Sequence, residues 1–222
     1  MTIALQALSQ LPLFAGLGDD VLREITPYLH EYVFSPGQTI VLEGEPCQAV
    51  YLVARGIVRT YRLSYEGREQ VLAYLELGEL FNLVPALDGQ PSPASVDGLT
   101  EGSLYTIPCE RFRRIVCEHH EVALIIMDRL ATEVRRLTDM VEDLALHTVR
   151  ARLARFLLAQ AEGPQRPPFR WTQTEIAAHI GSVREMVGRT LRAFVVAGLI
   201  RRQRGRVTVV DREGLEREAT GT

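Results

Sequence analysis

Between Trp171 and Leu191 the apolar residues keep a helical period on either side of Gly181, so this stretch reads as two short helices joined at that glycine. In the second helix Val187, Leu191 and Phe194 fall at i, i+4 and i+7 and line one side, where they can anchor it to a core. Arg184, Glu185, Gly188, Arg189 and Arg192 fall on the other side, nearly free of large apolar groups. Arginine can grip guanine O6 and N7 with two hydrogen bonds, and glutamate can accept from cytosine N4. A helix offering Arg, Glu and Arg from its first two turns therefore suits the DNA major groove, and the pair of helices reads as a helix-turn-helix. The alternative is an ordinary helical hairpin with a solvated arginine face.

The residues beyond the two helices favour DNA. Ala197 to Ile200 closes the second helix, and Arg201 to Val210 reads as a β-hairpin turning at Arg204-Gly205 and crowded with arginine. A recognition helix with a basic wing after it is a winged helix-turn-helix, in which the wing would sit on backbone phosphates. Charge is distributed accordingly. The chain has 25 basic and 28 acidic residues, a net charge of −3, which alone argues against nucleic acid. Residues 148–222, however, hold 14 arginines and 7 acidic residues, a charge of +7, whereas residues 1–147 hold 11 and 21, a charge of −10.

Ahead of this basic module the pattern changes twice. From Tyr32 to about Ile107, glycines recur at steps of mostly eleven or twelve residues, with β-rich runs between them such as Ala49 to Val53, Ile57 to Tyr65 and Gln70 to Leu75. Short, regularly spaced strands of this kind predict an antiparallel sandwich or barrel. Before it, Asp19-Asp20 can cap a helix through Val21, Leu22 and Ile25 to about Leu29. After it, from about Glu121 to Leu146, Met127, Leu130, Val134, Leu137, Val141 and Leu144 are spaced 3, 4, 3, 4, 3. That is an a/d seam over about three heptads. It either packs on its own barrel or pairs with a second copy, and a helix this long would overhang a small barrel, which favours a homodimer. Two recognition helices related by a twofold axis would then read half-sites about 34 Å apart. The expected organisation is α+β: a β-barrel domain over 1–118, a dimerisation helix over 119–146 and a winged helix-turn-helix over 147–222.

Other classes find little support. The N-terminus lacks a basic segment followed by an apolar run, and no apolar stretch approaches the roughly 20 residues that span a bilayer, so neither a signal peptide nor a membrane partner is expected. Cys47, Cys109 and Cys117 form no CxxC pair and leave an odd count, so reduced thiols and a cytoplasmic protein are expected. Cys109 and Cys117 fit a buried structural role better than a redox-responsive one. An enzyme of cupin type would need two histidines one residue apart plus a carboxylate, yet no histidine lies between Tyr32 and Ile107. His30, His119, His120, His147 and His179 sit in no ligand motif, so no metal site, cofactor or catalytic residue is assigned. A scaffold with an inactive helix-turn-helix would have no need of Arg184, Glu185 and Arg189 together.

Taken along its length, the chain resembles the CRP/FNR family of bacterial transcription regulators. The likeness runs through Leu11 to Leu17, Tyr65 to Leu72, Leu87 to Pro91, the long helix and the winged helix-turn-helix, with Gly181 to Leu191 the most specific match. The resemblance implies a jelly-roll barrel of the cyclic-nucleotide-binding kind. It places base reading on Arg184, Glu185 and Arg189, over a palindrome of TGTGA-like half-sites. It places phosphate contacts on Thr172, Gln173, Arg204 and Arg206. It also implies double-stranded DNA, a second copy of the chain and RNA polymerase as partners, with polymerase contacts in loops such as Glu162 to Pro168. Val183 stands where the family has a small hydroxyl residue that caps the recognition helix, which makes Ser182 the expected cap and a further phosphate contact. Met186 replaces a polar residue on the reading helix.

The resemblance weakens at the effector site. Cyclic-nucleotide binders of the family carry Gly-Glu after a Phe and Arg-Ser some ten residues later, but here Phe81 is followed by Asn82-Leu83, and Ser92-Pro93 stand at the Arg-Ser positions. The polar pair that would meet the adenine becomes Leu137 and Thr138. Between Glu69 and Glu110 there is no basic residue, whereas Glu76, Glu79, Asp88 and Asp97 are acidic, so a buried anion would lack a countercharge. Independence of cyclic AMP is therefore expected, with Arg135 or Arg136 as the one evident rescue. Either another small-molecule or redox effector acts here, or packing by Leu83, Val84, Pro85 and Pro93 holds the DNA-competent state without any ligand.

Overall fold

A computed structural model describes residues 17–162, 171–203 and 206–220. The segment from Leu11 to Gly16, the loop after Glu162 and the Arg204-Gly205 turn lie outside the described residues. The chain divides into two compact units, one formed by residues up to Arg62 with Leu72–Val134, the other by Leu63–Val71 with Arg135 onward.

The N-terminal part of the chain carries eight strands, β1 (His30–Phe34), β2 (Thr39–Val41), β3 (Ala49–Arg55), β4 (Val58–Leu63), β5 (Glu69–Leu75), β6 (Leu80–Phe81), β7 (Ser95–Gly98) and β8 (Gly102–Pro108). They form two four-stranded sheets, ordered β1-β8-β3-β6 and β2-β7-β4-β5, so the expected jelly-roll barrel is present. Recurrent glycines make its turns. Gly56, between β3 and β4, has φ +85°, and a Cβ there would lie 2.6 Å from the Glu101 carbonyl oxygen. No other residue meets both conditions without strain.

The strand period of two splits the apolar residues between two cores. Val53 on β3 and Leu104 on β8 face inward and meet Phe34, Val58, Phe81 and Val96. Val50, Leu52 and Ile107, of opposite parity, face outward and are covered by helices. These are α1 (Asp19–Ile25), α3 (Cys109–Glu118) and the start of α4 (His120–Leu146), which bring Leu22, Ile25, Phe112, Ile115, Val122 and Ile126. A short helix, α2 (Leu83–Asp88), follows β6.

Three expectations are corrected in this unit. Gly18 rather than an aspartate holds the N-cap position of α1, and that position makes no side-chain cap bond. The helix also stops at Ile25 and tightens into a 3-10 turn over Thr26–Tyr28, where Pro27 cannot supply the next backbone donor. Cys47 and Cys109 are not free thiols but a disulfide, with Cα atoms 6.3 Å apart, while Cys117 is free and exposed. The pairing follows from topology. β3 runs antiparallel to β8 with Ala49 opposite Pro108, so the residue two before one strand meets the residue just after the other. A separation of 62 residues hides this in the sequence.

The apolar residues of α4, 27 residues long, divide between two tasks. Val122 and Ile126 are buried, and Leu130 packs partly on the same core. Met127, Val134, Leu137, Val141 and Leu144 are exposed, Val134 and Val141 at 63% and 64%.

The second unit holds α5 (Val149–Glu162), α6 (Gln173–Ile180), α7 (Arg184–Val196), the hairpin β9 (Ile200–Gln203) and β10 (Arg206–Val209), and α8 (Arg212–Thr220). Leu153, Phe156, Ile176, Ile180, Val187, Leu191, Phe194, Leu199 and Leu215 form its core. The three residues expected to anchor α7 are therefore its buried stripe, each at most 1% exposed.

Candidate nucleic-acid interface

The site begins at a capping box. Thr172 Oγ1 accepts the Glu175 amide at 3.2 Å, and Glu175 Oε2 accepts the Thr172 amide at 2.6 Å, which fixes where α6 starts. Both groups lie at the surface, and the Thr172 hydroxyl keeps its own proton to donate. Helix α6 ends at Gly181, in the left-handed conformation at φ +66°. A Cβ on this residue would fall 2.3 Å from Leu144 Cδ2, so the turn requires glycine for both its backbone and its space.

Helix α7 comes next, with Val183 at its N-cap and no side-chain cap, so the cap expected from Ser182 is not made; Ser182 is buried beneath the turn. The N-cap side chain of α7 therefore takes up none of its first amides, which carry the positive end of the helix dipole. Arg184, Glu185, Arg189 and Arg192 are exposed on one face. Arg189 Nη2 donates to Glu185 Oε1 at 3.1 Å, an i, i+4 pair that holds both groups extended side by side. Gly188, expected on this open face, is instead buried: α6 crosses here, and the Gln173 side chain lies over it, 2.9 Å from where a Cβ would be. Gln173 thus stands at the edge of the reading face.

The wing pairs Arg206 with Gln203, Val207 with Arg202, Thr208 with Arg201 and Val209 with Ile200. Val207 and Val209 pack on the core, and Arg201, Arg202 and Arg206 are exposed. The expected phosphate contact Arg204 lies outside the described residues.

Not every arginine of the basic module faces outward, and residue types alone did not separate the two sets. Arg150 forms a two-bond ion pair with Glu218 that clasps α5 to α8. It holds the Glu218 carboxyl below its ordinary pKa, mainly through the hydrogen bond. Arg155 donates to Asp143 Oδ1 at 2.6 Å and to the Ala219 carbonyl at 3.0 Å. Arg152 donates to the Asp143, Leu144 and Gly181 carbonyls, and burial lowers its guanidinium pKa. Arg212 is bound to Glu162 and Glu216, the second at the i, i+4 spacing legible in the sequence.

In the first unit, Asn82 heads α2 in the left-handed conformation, φ +63°. Its Nδ2 donates to the Ala49 carbonyl at 2.9 Å, and its Oδ1 accepts from Ser92 Oγ at 3.0 Å. Ser92 is 2% exposed, and its amide and carbonyl bond Glu45 and Gly44. Leu83 and Pro85 are buried, whereas Val84 and Pro93 are exposed. The polar residues at the positions of a cyclic-phosphate cassette, Asn82 and Ser92, thus satisfy each other, and neither they nor Leu83 and Pro93 offer a cation. Among the described residues no group of three or more His, Cys, Asp and Glu side chains could hold a metal ion. No described helix is long and apolar enough to cross a membrane.

A winged helix-turn-helix with an open arginine face, following a jelly roll and a long helix, defines a DNA-binding transcription regulator. Residues 31–119 match the cyclic nucleotide-binding domain model, and residues 151–218 match the Crp-like helix-turn-helix domain. The chain is 33% identical to the cyclic AMP receptor protein of Thermus thermophilus, over 95% of this chain and 97% of that one. It is 28% identical to the CRP-like cAMP-activated global transcriptional regulator of Mycobacterium tuberculosis, over 96% and 99%. A solved CRP/FNR-family regulator from Eubacterium rectale superposes with a TM-score of 0.79 at 29% identity, covering 94% of this chain and 98% of that one. The chain belongs to the CRP/FNR family of transcription regulators.

Proposed function

We propose that the protein regulates transcription as a homodimer that binds a palindrome of TGTGA-like half-sites and acts on RNA polymerase, without cyclic AMP. The observation that carries this reading is the division of α7. Val187, Leu191 and Phe194 are buried, while Arg184, Glu185 and Arg189 stand exposed on the opposite face. Arg184 and Arg189 read guanines, Glu185 accepts from cytosine, and Thr172, Gln173, Arg204 and Arg206 hold phosphates, while Ser182, buried beneath the turn, is left out of that set. The exposed stripe Met127, Val134, Leu137, Val141 and Leu144, with Leu130 at its edge, supports pairing of two α4 helices. Residues 1–118 then serve as the sensor-like part, 119–146 as the dimer helix and 147–222 as the DNA module. The Asn82–Ser92 hydrogen bond supports independence of cyclic AMP, in contrast to the relatives named for that ligand.

The test is selection from a random duplex pool by purified full-length protein without added ligand, then titration of the enriched duplex. Enrichment of a twofold-symmetric TGTGA-like site is expected, with affinity unchanged by cyclic AMP. Enrichment of no sequence by folded, dimeric protein would overturn the ligand-free reading, and the cassette would then be probed with neutral and redox ligands.

A further inference from the structure

We propose that Cys47 and Cys109 form a reversible thiol–disulfide site whose closed state supports DNA binding; the DNA part of this inference rests on the function proposed above. The bond joins the loop ahead of β3 to the first residue of α3. Three features distinguish it from an inert staple. Cys47 is half-buried and Cys109 is buried, so Cys47 is the more accessible partner for an incoming thiolate. Cys109 opens a ten-residue helix whose N-cap, Pro108, supplies no side-chain acceptor. A thiolate released there faces the positive end of the helix dipole, which favours the Cys109 sulfur as the leaving group. The Cys109 amide also donates to the Gln48 carbonyl at 3.2 Å, which keeps the two segments adjacent when the sulfurs separate, so that re-closure stays local.

The site is wired to the altered cassette. Asn82 Nδ2 lies 3.6 Å from Cys47 Sγ, and the same amide group accepts from Ser92 through Oδ1. One side chain therefore senses the sulfur on one side and holds the loop after α2 on the other. From Cys109, α3 runs through His119 directly into α4. A DNA-binding regulator works where dithiol systems keep thiols reduced, and disulfides found there are mostly transient and redox-sensing.

The chemistry balances with a dithiol protein of the thioredoxin class. Its thiolate attacks Cys47 Sγ, the Cys47–Cys109 bond breaks, and Cys109 leaves as the thiolate. The second thiol of the reductant then attacks the mixed disulfide and releases Cys47 as a thiolate, which takes up a proton. Two electrons pass to the protein, and the reductant departs as a disulfide. Oxidised glutathione, a disulfide oxidant, closes the pair by the reverse sequence. Closure fixes the cassette and the start of α3; reduction loosens both.

Full-length protein oxidised with oxidised glutathione or reduced with a phosphine is compared in three ways. Alkylation followed by mass measurement is expected to find one reactive thiol when oxidised and three when reduced. Hydrogen exchange in peptides covering 82–92 and 109–118 should rise at least about tenfold on reduction. Affinity for the selected duplex should fall at least about tenfold in wild type and Cys117→Ser, while Cys47→Ser binds like reduced wild type in either condition. Three reactive thiols after oxidation, or equal exchange and equal affinity in the two states, would overturn the proposal. If no duplex is bound in either state but exchange still responds, the DNA function fails and the redox site stands.

Discussion

Arg152 holds the carbonyl of Gly181: its Nη2 donates across 3.3 Å, while its Nη1 donates to the carbonyls of Asp143 and Leu144 at 3.3 and 3.1 Å. One guanidinium thus ties the last turn of α4 to the turn of the helix-turn-helix. Arg152→Met should remove three charged hydrogen bonds and destabilise the second unit by about 2 kcal/mol. Hydrogen exchange in α5 and α6 of the full chain reads this loss. Arg152→Lys should recover only part of it, since an ammonium cannot span the same fork. Unchanged exchange in Arg152→Met would mean the fork holds nothing.

The exposed face of α7 makes a prediction about specificity rather than stability. Arg184→Ala or Arg189→Ala should each cost roughly 1–3 kcal/mol against the selected duplex and relax preference at one symmetric pair of positions. Arg206→Ala should weaken all duplexes alike and reduce the salt slope by about one. The Glu185–Arg189 pair is exposed, so losing it should change unfolding by less than about 1 kcal/mol. Titration of base-substituted duplexes at several salt concentrations checks this; equal losses on every sequence for all three variants contradict the assignment.

Two glycines in the same motif should respond in opposite ways. Gly181→Ala places a Cβ in a left-handed backbone and against Leu144, so a loss of about 1–3 kcal/mol is expected. Gly188→Ala meets only the end of the Gln173 side chain, which can move, and gains helix propensity of roughly 0.5–1 kcal/mol. Its stability should hold or rise while DNA affinity falls, because Gln173 is pushed from the edge of the reading face. Thermal unfolding and duplex titration separate the two effects.

The Arg150–Glu218 clasp carries a pH dependence. Glu218 titrates below its ordinary value in the folded protein, so the stabilisation is present above the unfolded carboxyl value of about 4.5. It is lost as pH falls through the lower folded value. Part of the pair is open to solvent, which limits the effect to about 1 kcal/mol. Glu218→Gln should flatten the acid limb of α8 exchange against pH; an unchanged limb would place the loss elsewhere.

The stripe on α4 predicts the oligomeric state. Val141→Glu puts a charge where a second α4 would bury an apolar side chain, so sedimentation should show monomers at concentrations where the parent chain is dimeric. Unfolding of the variant should otherwise resemble the parent, since Val141 is exposed within the protomer. A dimer that survives would move the interface away from this helix.

Much of the architecture was legible because its causes are local. Gly181 ends α6, and the 3, 4 spacing from Met127 to Leu144 specifies α4. The capping of α7 was less legible, since Ser182 and Val183 compete for one position and burial of Ser182 under the turn decided it. Gly188 was misplaced because helical periodicity describes one helix and says nothing of the helix that crosses it.

By itself the sequence determined the order of elements, the two faces of α7 and the missing countercharge of the cassette, all properties of residues within a few turns of one another. Only the tertiary structure decided which arginines are structural, that Asn82 and Ser92 satisfy each other, and that Cys47 meets Cys109. These partners lie 68, 10 and 62 residues apart, counting Arg150 with Glu218 first. Such pairings depend on where antiparallel strands and packed helices return the chain, and no local spacing records that. A buried polar group must then find its partner among whatever the fold brings near, because leaving it unpaired costs more than any local preference.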